Sequence, residues 1–584
     1  VTGERAGDPL RGASGGGAAR PGAIAAALLL LFSLGLGLRV VDIGERSLSH
    51  PENFVPGIPV PAWTTVPSPR MSMRDVLVTT LEDGHPPAYF VALVPWVRVF
   101  GNSEVSYRMP SALLGALSIL LVFAIARREL PKAWALLPAA LLALHGFHVH
   151  WSQMARPYGM AAFLGLLSTL FLLRHLERER PGDALGLFAS TSLGLWTQIY
   201  VWPLVFAQML AGALREWGER GRLRALRVQL AAVVAGSPVI ALAILQNPGT
   251  KWDDPKLDYL ELGFAYVSNA KFWGDAPETH FPPALVLLLT IGLLALCAMR
   301  AASRPIPAAP HEAKPPWMPA WLFGDLALVA SGAMLALYVS AGATRLVVLA
   351  TATFPLLLLG LAETLRTLVE PRLRPAPALR RAGEPVSLWI ALLPPLLMIA
   401  VSAARPSWVA RGALPYVPFL LIAVAGGVVA LARRPLLASG AAALLAAICV
   451  SSTAYFARAQ ASPRDYRGLA RELLPELAPG DAIFVMRSSY RYPPLYYYLP
   501  DHLERLVGSD WAEFVERESP HRIWLIAFGR DESELPAEML AAVSGYRRTD
   551  IRHAYRAKAI LLERHDAADP QPAVAEMLPL DAAR

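Results

Sequence analysis

"AIAAALLLLFSLGLGLRV", residues 23–40, runs for the thickness of a bilayer with no charge before Arg39. A stretch of that length and composition has one stable form in lipid, a helix that satisfies its own backbone. Apolar runs of near-spanning length recur to about residue 456. The whole chain agrees, with 54% hydrophobic and 17% charged residues and a mean hydropathy of +0.39, far from a soluble average. The expectation is an all-α polytopic membrane protein. Beyond the first run, candidate spans lie near 110–126, 134–148, 157–174, 184–200, 201–214, 227–245, 283–300, 321–341, 345–366, 387–403, 413–432 and 436–456, making about thirteen helices.

The net charge of +8 sits in short clusters between these runs rather than on one face. That pattern sets topology and gives no support to a nucleic-acid partner. "LRHLERERPGD", "LREWGERGRLRALR" and "RTLVEPRLRPAPALRRAGEP" are Arg-rich, whereas the intervening "TQIYVWP" and the long connection from Gln246 to Phe281 carry fewer cations for their length. Arg5, Arg11 and Arg20 precede the first run, and no convincing cleavage site follows it. The reading is a retained first helix with a cytoplasmic N-terminus and an external C-terminal segment, in a cell (inner or plasma) membrane. Cys297 and Cys449 fall inside spans, which suits small core residues rather than a disulfide.

Two segments do not read as spans. Residues 43–109 form a long first external loop ending in "EDGHPPAYFVALVPWVRVF", residues 82–100, whose apolar part is too short to cross. It is expected to lie in the outer interface with Trp96 and Arg98 at headgroup depth. After about Ala457 the apolar pattern yields to an amphipathic helix, a Pro-Gly-Asp turn and a short strand in "SPRDYRGLARELLPELAPGDAIFVMRSS". "HRIWLIAFG" and "KAILLER" read as further strands with "ELPAEMLAAVSG" as a helix between them, so a small external α/β domain is expected. The aromatic "YRYPPLYYYLPDH", residues 490–502, is placed at the membrane interface in preference to a sugar-stacking surface.

Candidate chemistry gathers in the first loop. Pro86 and Pro87 suit a helix start, and "DGHPP" reads either as a capping signal or as an anion site with Asp83 and His85 beside the helix end. Asp42, Glu45 and Arg46 close the first helix and are followed by His50 and Glu52 in "SLSHPENF". Carboxylates there are candidate general bases for an acceptor hydroxyl, or surface charges. Arg156 in "MARPYG", Arg345 in "GATRLVV" and Arg411 in "WVARGALPY" stand at outer helix ends, either holding an anion or snorkelling to headgroups. His145, His148 and His150, with His50 and His85, are candidate ligands of a divalent ion, although their spacing matches no tight structural zinc motif.

"EDGHPPAYFVALVPWVRVFGNSEVSYRMPSALLGALSI" followed by "WSQMARPYGMAAFL" resembles the membrane glycosyltransferases of the protein mannosyltransferase and lipid A aminoarabinose transferase group, most densely over residues 24–215. "ARGALPYVPFLLIAVAG" and "SPRDYRGLARELLPELAPGDAIFV" are also similar to pieces of that group. The resemblance implies a GT-C fold, a polyprenyl-phosphate sugar donor, an acceptor on the external side and an inverting displacement with a carboxylate base. It implies a first-loop Asp-Glu pair, where this chain has Pro51 and Glu52. Glu52, Asp83 and Asp42 therefore remain the catalytic candidates, with His85, Arg156, Tyr158, Arg345, Arg411 and His50 as substrate-binding ones. Members differ over a metal, and none is required by the resemblance. The expected organisation is a tail over 1–21, a membrane domain over 22–456, an external α/β domain over 457–565 and a flexible tail over 566–584. A transporter or flippase, or a catalytically silent polyprenyl-phosphate-binding relative, stands as the alternative.

Overall fold

The computed structural model describes residues 21–52, 54–63, 72–82, 84–220, 222–246, 283–302, 384–404, 410–458, 464–486, 492–528 and 536–565. Asp83, Arg345, the expected spans at 321–341 and 345–366, and the expected tail over 566–584 lie outside them.

Four described helices are long and apolar enough to cross a membrane: α1 (Pro21–Val40), α4 (Glu104–Glu129), α7 (Tyr158–Arg178) and the first part of α14 (Pro435–Arg458). With α8 (Pro181–Thr197), α9 (Val201–Arg220), α10 (Arg224–Gln246), α11 (Pro283–Ala302), α12 (Val386–Ala404) and α13 (Val417–Ala430) they make a multi-pass helical protein. Before α4 come α2 (Met73–Glu82) and α3 (Ala88–Phe100). The thirteen residues of α3 bury Tyr89, Phe90, Leu93, Val94 and Val97 on one face and leave Arg98, Val99 and Phe100 exposed.

Prolines inside apolar helices free a carbonyl four residues back, and a nearby side chain must replace the lost donor. Pro110 in α4 cannot donate to Ser106, and the Trp96 indole of α3 donates to that oxygen instead at 2.9 Å. In α10, Pro238 frees Val234, whose oxygen accepts from the Ser237 hydroxyl at 2.7 Å.

The continuous span expected at 134–148 is instead two helices, α5 (Leu136–Ala143) and α6 (Gly146–Ser152). The cause is local. His145 is extended and its ring accepts from the His148 amide, which starts a new helix. The freed Leu144 carbonyl accepts from the Thr453 hydroxyl of α14 at 2.5 Å. A Cβ on Gly146 would lie 2.4 Å from the Ser452 carbonyl carbon, so only glycine lets the two helices approach this closely. Cys297 and Cys449 are both buried and are not joined in a disulfide.

At the C-terminal end, five strands order as β2-β1-β3-β5-β4, where β1 is Ala482–Phe484, β2 Leu506–Val507, β3 Arg522–Phe528, β4 Tyr546–Ala554 and β5 Ala557–Arg564. β1 runs parallel to β2 and β3, and β5 runs antiparallel to β3 and β4. Strand alternation sends Trp524, Ile526 and Phe528 to one face and Ile523, Leu525 and Ala527 to the other. α15 (Tyr466–Leu473) and α16 (Pro493–Tyr498) cover the first face, and α17 (Trp511–Glu518) and α18 (Ala537–Ala542) cover the second. The aromatic stretch around α16 is thus mainly core, with Tyr492 and Tyr496 buried, in place of the expected membrane-interface position. Its last two tyrosines reach the first loop and α4, where Tyr497 donates to the Asn102 carbonyl and the Tyr498 hydroxyl accepts from the Leu48 amide.

Candidate active site

The first loop leaves α1 through Asp42, which adopts a left-handed conformation with φ 54° and ends the helix. From there to Glu52 the backbone makes little regular structure beyond a short 3-10 turn at His50–Glu52, so its polar groups need side-chain partners. Glu52 supplies several. Its carboxylate is wholly buried and accepts from the Arg108 guanidinium at 2.9 and 2.8 Å, from the Ser49 amide at 2.9 Å and hydroxyl at 3.1 Å, and from the Ala155 amide at 2.8 Å. Burial alone would push the acid's pKa up. The Arg108 charge, with the hydrogen bonds from Arg108, Ala155 and Ser49, outweighs burial and holds it below its ordinary value.

Arg108 is bound as fully. Besides Glu52 it donates to the carbonyls of Ile43 and Arg46 at 2.8 Å and of Ser47 at 2.9 Å. A buried guanidinium with its carboxylate and three carbonyls is an arrangement that tolerates low dielectric. It fixes the loop on the outer turn of α4.

The amide that Glu52 captures belongs to the residue before Arg156, and Arg156 reaches back to donate to the Pro51 carbonyl at 2.7 Å. Arg156 is 5% exposed. Its guanidinium carbon lies 5.8 Å from the ring centres of Phe54, Phe90 and Tyr158, within the range of cation–π attraction. The Phe54 ring also packs on His85, with centroids 4.7 Å apart. The Tyr158 hydroxyl accepts from Arg411 Nε at 2.6 Å. Two guanidiniums therefore meet the same tyrosine, Arg411 at its hydroxyl and Arg156 near its ring, and Arg156 Nε is buried with no hydrogen-bond acceptor among the described residues. Concentrated positive charge around a neutral tyrosine, with aromatic walls, is chemistry suited to an anion.

Of the sequence candidates, the structure thus brings together Glu52, His85, Arg156, Tyr158 and Arg411. Asp42 is exposed. His50 lies in the short turn between Ser49 and Pro51. Each of the three clustered histidines has another contact. His148 Nδ1 lies 3.0 Å from Arg39, His145 caps α6, and His150 stacks on Phe456. Among the described residues no group of three metal-ligating side chains occurs. Sequence reasoning passed over Arg108, Phe54 and Phe90. Arg108 had a signal, a lone cation a few residues into an apolar helix, where charge is expensive unless paired.

Residues 84–244, which carry His85, Phe90, Arg108, Arg156 and Tyr158, match the family model described as dolichyl-phosphate-mannose-protein mannosyltransferase. The segment is therefore similar to the GT-C mannosyltransferase group, as its quoted motifs implied. Among solved structures the chain is similar to ArnT from Cupriavidus metallidurans in the apo state, with 15% identity, a TM-score of 0.40 and coverage of 92% of this chain and 98% of that one. It is also similar to ArnT from the same organism bound to undecaprenyl phosphate, with 16% identity, a TM-score of 0.38 and coverage of 93% and 99%. A third likeness is to the archaeal oligosaccharyltransferase AglB from Archaeoglobus fulgidus in complex with an inhibitory peptide and a dolichol-phosphate, with 11% identity, a TM-score of 0.41 and coverage of 94% and 75%. No curated protein matches the chain.

Proposed function

We propose that this protein is a membrane glycosyltransferase that moves a sugar from a polyprenyl-phosphate donor to an acceptor on the external side of the membrane. The observation that carries the reading is the buried Arg156 guanidinium, with an unpartnered Nε, beside the Tyr158 ring whose hydroxyl accepts from Arg411, inside or beside the segment similar to the mannosyltransferase family. In the proposed reaction an acceptor hydroxyl attacks the anomeric carbon, the bond from that carbon to the phosphate oxygen breaks, and the polyprenyl phosphate leaves with the electron pair. The two guanidiniums stabilise the charge developing on the departing phosphate. A carboxylate takes the acceptor proton and the anomeric configuration inverts. Asp83, two residues before His85 in the sequence, is the proposed base, since Glu52 is enclosed by Arg108, Ser49 and Ala155.

The same enclosure favours a second reading, a silent relative that binds polyprenyl phosphate without turnover. Purified protein offered radiolabelled polyprenyl-phosphate sugars separates the two. Transfer or donor hydrolysis that is lost in Asp83→Asn with donor binding retained supports the enzyme; binding without consumption of any donor supports the silent relative. No binding across the panel removes both.

A further inference from the structure

The C-terminal sheet unit does more than sit beside the helices. Arg467, on α15, donates to the carbonyls of Gly44 at 2.7 Å and Glu45 at 3.2 Å, and pairs with the Glu104 carboxylate in the first turn of α4. Glu104 also accepts from the Tyr498 hydroxyl at 3.0 Å, the same hydroxyl that accepts from the Leu48 amide at 2.7 Å. Ser47 donates to the Arg464 carbonyl at 3.2 Å, and the Trp63 indole donates to the Leu506 carbonyl at 2.9 Å. From the helix side, Arg108 takes the carbonyls of Ile43, Arg46 and Ser47. Five consecutive carbonyls, Ile43 to Ser47, are thus shared between two guanidiniums approaching from opposite ends of the chain.

Both arginines work in pairs with carboxylates. Glu104 and Arg108 stand one helical turn apart on α4, Glu104 facing Arg467 and Arg108 facing Glu52. Loss of the Arg467 contacts leaves Arg108 as the guanidinium that still gathers carbonyls of this stretch. The loop's far end is the Pro51 carbonyl that orients Arg156.

We propose that the sheet unit is a positioning element of the catalytic centre, with Arg467 and Tyr498 setting the loop that orients Arg156. The kinetic part of this proposal rests on the glycosyltransferase reading; the structural part does not. It makes Arg467 a positioning residue, which acts through the loop and touches no substrate.

The test is hydrogen–deuterium exchange on the full-length protein in lipid nanodiscs, comparing Arg467→Ala, Arg467→Lys and Tyr498→Phe with the parent. Amides of residues 43–52 should exchange about tenfold faster in Arg467→Ala and less so in Arg467→Lys, because a charge-assisted contact is lost and then partly restored. Amides of β3, Arg522–Phe528, should be unchanged and show that the sheet is intact. If Arg467→Ala disturbs β3, Tyr498→Phe decides, since it deletes one hydroxyl and should still speed exchange at Leu48. Unchanged loop exchange in a variant with an intact sheet overturns the proposal. Where a donor is consumed, Arg467→Ala should raise its KM ~10-fold while Arg467→Lys recovers part of the loss. A parent protein that consumes no donor defeats the glycosyltransferase reading and leaves the exchange result to judge the positioning role.

Discussion

Glu52 and Arg156 each hold the backbone of the residue just before the other: the Glu52 carboxylate accepts from the amide of Ala155, and the Arg156 guanidinium donates to the carbonyl of Pro51. Neither side chain can shift without moving the segment that carries the other. A disturbance at the buried carboxylate therefore reaches the cation that faces the proposed phosphate.

Arg108→Ala should cost about 3–5 kcal/mol of stability, because it leaves the Glu52 carboxylate buried without its charge partner. Replacing both residues, as in Glu52→Met with Arg108→Met, should cost less than the sum of the single changes. Thermal unfolding in detergent of the parent, Glu52→Met, Arg108→Met and the double variant measures the coupling. Purely additive losses would mean that the pair is not a unit.

The acid side of the stability curve should change with Glu52. Its folded pKa is lowered from the ordinary 4.5, so the folded state favours the ionised form. The stability this gives is fully present above the unfolded carboxylate value and is lost as pH falls through the folded one. Glu52→Gln should be less stable than the parent at neutral pH, and the gap should narrow below pH ~4. A constant gap from pH 7 to pH 3 would contradict the assigned charge state.

Removing the convergent charge should affect donor use more than folding. Arg156→Ala is expected to lower kcat/KM about 100-fold, with Arg156→Lys retaining part of the activity because the charge persists without the fork. Tyr158→Phe, which removes the hydroxyl that accepts from Arg411, should weaken donor binding by a smaller factor. Equal activity in Arg156→Ala and the parent would remove the phosphate role.

Trp96→Phe should destabilise the protein by about 1–3 kcal/mol through the Ser106 carbonyl, which Pro110 cannot serve. Restoring a donor with Pro110→Ala in the same background should recover much of the loss. Failure of the second change to help would place the cost in packing of the indole ring.

Hydropathy and the cation-rich connections made most helix positions legible, because a bilayer imposes length and backbone satisfaction on every span. The α5–α6 break was not legible. It depends on His145 capping its own helix and on Thr453, three hundred positions downstream by chain order, filling a carbonyl. β4 was missed for another reason: "YRRTDIRHA" is charged and half-exposed at the sheet edge, where apolar alternation is weakest and charge protects against edge pairing. The sequence pointed to Arg156 and Arg411 through cations at helix ends. The aromatic floor under Arg156 came from Phe54 and Phe90, whose meeting is set by tertiary packing rather than spacing.

Gly44 and Arg467 are 423 positions apart, and a ribosome makes them in that order. The first loop therefore leaves the membrane-insertion machinery long before its second guanidinium exists. Only Arg108, made soon after, is present to gather its carbonyls during that interval. The loop then reaches its final shape only once Arg467 has followed α14 out of the ribosome, so the setting of Arg156 is completed after these membrane helices have been made rather than along with them.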